Sequence, residues 1–288
     1  MPRDKFLSYL QNEKRYSPLT VSAYTTDLAQ FYNFIKSQYD LAEIEDVNHS
    51  LIRSWIVDMI DADMSTRSVN RKITTLKSYY KFLLREGIVN KNPMLKILPP
   101  KTSKKLPVFV EESSMDELFD TVEFKEGERG VRDRMILLLL YSTGIRLSEL
   151  INIKVSDIDF SSGSIKILGK GNKERILPFS DQLKSELKQY MDKVQPVDWF
   201  FLTDKSKKLY EKLVYRIVNS YLSKVTTISK RSPHVLRHTF ATHMLNNGAD
   251  LNAIKEFLGH VSLSATQVYT HNTIKKLTNI YKQAHPKA

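Results

Sequence analysis

The chain has 288 residues and a formal net charge of +12, with a pI near 9.5, which favours a polyanionic partner such as nucleic acid over an acidic small molecule. It contains no cysteine, which excludes disulfides, thiolate nucleophiles and cysteine-based zinc sites. Hydrophobic residues make up 41% of the sequence, ample for about two globular domains, no apolar run approaches the roughly 20 residues of a bilayer span, and "MPRDKFLSYL" lacks the apolar core of a secretory signal, so the reading is a cytoplasmic protein with no membrane contact.

Residues 1–89 read as a helical domain. "SPLTVSAYTTDLAQFYNFI" opens with Ser17 as cap and Pro18 at the first helical position, then spaces Val21, Tyr24, Leu28, Phe31 and Ile35 along one face. A shorter helix starts at Ser50, and a third runs from a Ser65 cap to a stop at Gly87. On the third, Val69, Ile73, Leu76, Tyr80, Leu83 and Leu84 share a buried face, Arg67, Arg71, Lys77, Lys81 and Arg85 share a neighbouring arc, and Lys72 and Phe82 stray. Such a run is ordinarily a solvated face. Residues 65–107, however, hold eleven Lys or Arg against one acid, Glu86, too few acids for salt bridges along the helix, and phosphate contact is the reading preferred.

"NKNPMLKILPPKTSKKLP", residues 90–107, carries four prolines and five lysines and reads as an extended, basic interdomain linker, with Lys101, Lys104 and Lys105 as further DNA contacts. A second domain, 108–288, begins with helices, of which "DRMILLLLYSTG" is too apolar all round to lie on the surface. The period then changes: "SIKILGKGNKERILPF" alternates, turns at Gly169 to Asn172 and alternates again, a β-hairpin with Lys170 at its tip. Helical patterns resume from about 180. The fold class expected is mainly α with a small β-sheet.

Four stretches carry chemistry. "STGIRLSEL" places Arg146 just after the buried helix with Glu149 one turn on, either as a simple ion pair or as an arginine that Glu149 orients towards an anion. "LGKGNKER" supplies Lys170, which is a solvated turn residue or a mobile proton donor. In "HVLRHTFATHML", His234 and His238 have the i,i+4 spacing of a zinc pair, but Arg237 lies between them and no Glu follows His234. Pro233 puts His234 in the first turn, where backbone donors favour an anion faced by His234 and Arg237 together, while His238 and His243 read as packing or hydrogen-bonding residues. "DLNAIKEFLGHVSLSATQVYTH" is a helix capped by Asp250 and stopped by Gly259, followed by His260 and a short helix carrying Tyr269.

Taken together, Arg146, Lys170, His234, Arg237, His260 and Tyr269 are what metal-free attack on a phosphodiester requires. Two guanidiniums can bind the non-bridging oxygens and offset the charge of the phosphorane. A tyrosine can attack and later leave, so the bond energy stays in a covalent intermediate, while a lysine protonates the departing oxygen and a histidine takes the phenolic proton. Metal and cofactor are both expected to be none.

Those motifs, in this order and spacing, resemble the tyrosine recombinases of the phage integrase family, and within them the Xer group that resolves chromosome dimers. The likeness covers essentially the whole chain. It implies Arg146 and Arg237 as phosphate clamp, Lys170 as general acid on the 5′ oxygen, His234 as acid/base, His260 as supporting donor and Tyr269 as the nucleophile of a 3′-phosphotyrosyl bond. It also implies an N-terminal core-binding domain of the SAM-like kind and an α+β catalytic domain closing on double-stranded DNA at a site with inverted half-sites. The assembly implied is a tetramer of identical or paired protomers acting through a Holliday junction at a dif-like site in the nucleoid, with a DNA translocase as candidate activator. A compact mobile-element or phage integrase is the alternative, followed by a DNA-binding protein that does not cut and, remotely, a metal-dependent nuclease built on His234 and His238. The stretch "NTIKKLTNIYKQAHPKA", 272–288, is expected to dock on an adjacent protomer, with packing on its own chain as competitor.

Overall fold

Helix caps fix where the first elements begin. The computed structural model describes residues 1–41, 44–102, 108–169, 174–259 and 271–287, and the chain divides into two units, Met1–Lys105 and Leu106–Ala288. In the first, α1 (Pro2–Ser8) continues as a π-helical turn over Tyr9–Glu13. Helix α2 (Pro18–Tyr39) starts where Ser17 Oγ accepts the Thr20 N–H at 3.3 Å. Helix α3 (His49–Asp61) begins one residue before the expected Ser50, because the Asn48 side chain accepts from the Ser50 and Leu51 N–H groups at 2.9 and 3.1 Å. Helix α4 (Thr66–Arg85) has the expected Ser65 cap, and the chain leaves it through Gly87 at φ +68°.

The core of this unit joins Leu28, Phe31 and Ile35 of α2, Trp55 of α3, and Val69, Ile73, Leu76, Tyr80 and Leu83 of α4. Three positions of α4 depart from the helical-face reading. Phe82 is buried against Phe6 and Tyr9, with ring centroids 5.3 and 5.1 Å away, because the N-terminal helical turns cover that side. Leu84, expected inside, is 43% exposed. Lys72 is buried because Asp27 of α2 is buried beside it, 2.9 Å from its ammonium. The extended linker expected from residue 90 does not begin there. Asn92 caps a short 3-10 turn, Pro93–Lys96, whose Met94 enters the same core with Ile97, and Asn70 Nδ2 donates to the Pro100 carbonyl at 2.9 Å. Two apolar side chains outweigh the prolines' bias towards extended, solvated chain. Lys104 and Lys105 lie outside the described residues.

The second unit is built around α6 (Gly127–Thr143), in which every residue from Met135 to Thr143 is buried. Around it lie α5 (Glu112–Asp120), α7 (Leu147–Leu150), a sheet, α8 (Asp181–Val194), α9 (Glu211–Val225), α10 (Pro233–Asn246), α11 (Leu251–Leu258) and α12 (His271–Ala284). The sheet is antiparallel in the order β1 (Ile158–Asp159), β2 (Ser164–Leu168), β3 (Glu174–Pro178). The expected hairpin is β2–β3, with Ile165 opposite Leu177 and Ile167 opposite Arg175. Its tip, 170–173 with Lys170, lies outside the described residues.

The terminal segment forms α12 and packs on its own unit, against β3, α10 and α11, burying Leu277, Tyr281 and Ala284. His285 follows it into the core, stacked on Tyr281 at 4.8 Å with its Nε2 3.3 Å from the Tyr141 carbonyl, and Lys287 pairs with Asp116 at 2.9 Å. Of the two placements weighed for this segment, an adjacent protomer or its own chain, the single chain has the second. Among the described residues no helix is long and apolar enough to cross a membrane.

Candidate active site

The site begins at the end of α6. Gly144 closes that helix in the left-handed region at φ +59°, and a Cβ there would stand 2.6 Å from Phe240 Cδ1 and 2.9 Å from Leu258 Cδ2. Both the dihedral and the close approach demand glycine. The turn buries Ile145 and presents Arg146 as the residue that caps the N-terminus of α7. Glu149, one turn on and 5% exposed, accepts from the Arg146 N–H at 2.9 Å through Oε2 and from Arg146 Nη1 at 3.0 Å through Oε1. The ion pair and the orienting role weighed for Glu149 are therefore one arrangement, since the carboxylate fixes both backbone and guanidinium of Arg146.

A residue that the motif reading passed over completes it. Arg175 of β3, 6% exposed, donates Nη1 to Glu149 Oε1 and Nη2 to Oε2, both at 2.7 Å, a parallel fork on one carboxylate. Burial pushes the Glu149 carboxyl up, and the hydrogen bonds and charge of Arg175, with those of Arg146, more than reverse this and hold it below the ordinary value. The signal was in the hairpin: Arg175 shares its face with Leu177 and faces Ile167 across the pair, a charge on the apolar side.

Arg237 of α10 is 8% exposed, donates Nη2 to the Leu258 carbonyl at 2.6 Å and Nη1 to the Gly144 carbonyl, and so bridges the ends of α6 and α11. Burial and then the charge of Arg146 pull its pKa down to about 10, which leaves it cationic at neutral pH. Two guanidiniums are thus bonded to one buried carboxylate and a third, Arg237, lies close enough to feel its charge, an arrangement in which cations outnumber the anion and which suits a further anion.

His234 is exposed one turn before Arg237 and lines an open cleft of about 760 Å³ with Leu147, Tyr215, Arg216 and Asn219. The structure brings Arg146, Glu149 and Arg237 together and sets His234 on the rim of a cleft that Leu147 shares. His243 is buried with Nδ1 2.9 Å from the Tyr141 hydroxyl, the packing and hydrogen-bonding role expected of it, and burial lowers its pKa. Among the described residues no three His, Cys, Asp or Glu side chains form a metal-binding group. Lys170, His260 and Tyr269 lie outside the described residues.

On the first unit Arg67, Arg71, Lys77, Lys81, Arg85 and Lys101 are all exposed. Arg71 pairs with Asp27, and Arg85 pairs with Glu86 at 2.8 Å and lies over the Tyr9 ring at 4.3 Å. Asp27 was invisible to a count of acids confined to residues 65–107. Arg67, Lys77 and Lys81 make no ion pair among the described residues.

Residues 109–276 match the phage integrase family and residues 4–87 the SAM-like N-terminal domain of phage integrases. The chain is 40% identical over 294 residues to the tyrosine recombinase XerC of Oceanobacillus iheyensis, covering 99% of this chain and 96% of that one. It is 38% identical over 291 residues to XerC of Staphylococcus epidermidis, covering 99% and 97%. Among solved structures, XerH recombinase bound to palindromic difH substrate in a post-cleavage complex superposes with a TM-score of 0.73 at 20% identity, over 98% of this chain and 82% of that one. The Tn1549 transposon integrase with transposon right-end DNA superposes with a TM-score of 0.72 at 16% identity, over 97% and 94%. The two-unit helical fold, the arginine cluster and relatives matched over nearly their full length agree: the chain belongs to the phage integrase family of tyrosine recombinases, as an Xer-type site-specific DNA recombinase.

Proposed function

We propose that Arg146 and Arg237 grip one phosphodiester of a recombination site while Tyr269 cuts it. The observation that carries this reading is the buried Glu149 carboxylate bonded to Arg146 and Arg175, with the Arg237 guanidinium within reach of its charge, beside an open cleft lined by His234. In the proposed step the Tyr269 phenolic oxygen attacks phosphorus as its proton passes to His234. The bond from phosphorus to the 5′ oxygen breaks, and Lys170 protonates that oxygen. The arginines offset the charge that builds on the non-bridging oxygens, with His260 as a further donor. Attack by the 5′ hydroxyl of a second duplex reverses the sequence and releases the tyrosine. No ATP, metal or other cofactor enters the balance, because the phosphotyrosyl bond conserves the energy of the one broken.

The assembly proposed is a tetramer on two duplexes, of identical protomers or of two paired recombinases, exchanging one strand pair at a time through a Holliday junction. In it α12 would leave its cis seat for the adjacent protomer, and the basic arc of α4 with Lys101, Lys104 and Lys105 would run along the phosphates. Likeness to XerC proteins supports resolution of chromosome or plasmid dimers at a dif-like site, in the cytoplasm on the nucleoid, with a DNA translocase as activator. The test is incubation with sheared host DNA in EDTA, denaturation in SDS and sequencing of protein-linked ends. The expected result is linked fragments ending at one locus, lost in Tyr269→Phe. Tight binding without adduct, also after addition of a second recombinase of the same host, would make the chain a non-cutting binder.

A further inference from the structure

Arg146 would be held in place by Glu149 alone if pairing were all that mattered, and charge balance would then be complete. The structure contains more. Both oxygens of Glu149 are already occupied by the Arg175 fork, at 2.7 Å each, and the remaining lone pairs point to the N–H and Nη1 of Arg146. A second, buried arginine is unnecessary for neutralising the carboxylate. What it adds is direction, because a bidentate fork fixes the plane of a carboxylate where a single contact lets it rotate.

The fork itself is rigidly mounted. Arg175 lies in a β3 strand paired with β2 over five residue pairs, and its partner Ile167 is buried. Its other side is closed by backbone: a Cβ on Gly259 would lie 3.2, 3.3 and 3.4 Å from its Cδ, Nε and Cζ. The preceding residue, Leu258, gives its carbonyl to Arg237. One turn at the end of α11 therefore rests on Arg175 while it receives Arg237.

We infer that Arg175 is a positioning residue for strand cleavage, holding Glu149 so that Glu149 sets Arg146, and holding the Leu258–Gly259 turn that Arg237 grips. This rests on the proposed clamp role of Arg146 and Arg237. It extends the site from the clamp to the sheet on which the hairpin is built.

The experiment measures the single-turnover rate of phosphotyrosyl adduct on one identified site, and DNA affinity separately, for Arg175→Met, Arg175→Lys, Glu149→Gln, the Arg175→Met/Glu149→Gln double variant and Arg146→Ala. Arg175→Met should slow cleavage about tenfold to a hundredfold, as misplacement of a catalytic group does, with DNA affinity little changed. Arg175→Lys should recover part of the rate, and the double variant should be no slower than the slower single. The pH profile adds a readout that loss of packing would not move. The charged groups around Glu149 are Arg146, Arg175 and Arg237, with Lys154, Lys166, Asp157 and Glu174 along the adjoining cleft. Without the Arg175 cation burial dominates, the carboxyl's pKa rises, and cleavage by Arg175→Met should fall as pH drops through the raised value where the parent protein keeps its rate. Wild-type cleavage by Arg175→Met, or additive losses in the double variant with no new acid limb, would overturn the inference. If Arg175→Met does not fold, Arg175→Lys in the same cycle decides. Unimpaired cleavage by Arg146→Ala would instead overturn the clamp reading.

Discussion

Asp27 holds two cations on α4 with one carboxylate. Lys72 donates to its Oδ1 at 2.9 Å, Thr75 Oγ1 donates to Oδ2 at 2.8 Å, and Arg71 joins from the exposed side. Removing it leaves a buried ammonium with the neutral Gln30 side chain and no counter-charge, so Asp27→Ala should destabilise the first unit by about 3 kcal/mol, measured as a lowered urea midpoint. Asp27→Leu with Lys72→Met should recover most of that loss, because an apolar pair of similar volume needs no partner. Residues of this kind mark the limit of sequence reading. Lys72 could be recognised as out of place on its helix, but its partner is 45 positions away. Arg175 could be placed on the apolar side of its strand by alternation with Leu177, but its partner Glu149 is on another element, 26 positions away, and nothing in the hairpin names it. Arg146, Glu149, Arg237 and His234 were legible because each sits at a fixed offset from a helix boundary that Gly144 or Pro233 announces.

At the scale of elements, boundaries followed from caps, and the errors came from what packs alongside. Three helices of the first unit start within two residues of their expected caps, while Met94 and Ile97 show that a proline-rich basic stretch can still be anchored by two apolar side chains. Helix α12 was legible as an amphipathic helix; which surface receives it was not, since periodicity specifies a face and not its partner. Its seat has a pH signature. His285, enclosed by Tyr141, Phe240 and Tyr281 and facing His243 and Lys287, is driven by burial down to about 3. A histidine whose folded pKa is depressed binds fewer protons folded than unfolded. Its contribution is therefore present above the ordinary histidine pKa and declines as pH falls from about 6.5 towards 3, by about 1.4 kcal/mol per pH unit. His243, lowered in the same direction, adds to the slope. Urea unfolding at pH 7.5, 6 and 5 should give a shallower pH dependence for His285→Gln than for the parent chain.

For the molecule as a whole, the charge of +12 predicts strongly salt-dependent DNA binding. If Lys77 and Lys81 contact phosphates, each substitution by alanine should reduce the slope of log affinity against log salt by about 0.9. Arg71→Ala should reduce it less, because Asp27 already draws on that charge. Titrations at several salt concentrations measure all three.

The two hydrophobic cores share no member: one ends at Ile97, and the other runs from Val110 to Ala284. Leu277, Tyr281 and Ala284 are integral to the second. A chain emerging from the ribosome in sequence order therefore has everything it needs to close its basic first unit long before its second unit has received those last core residues. Synthesis thus finishes the two cores one after the other, and the second is complete only when the chain's own last helix folds back onto it.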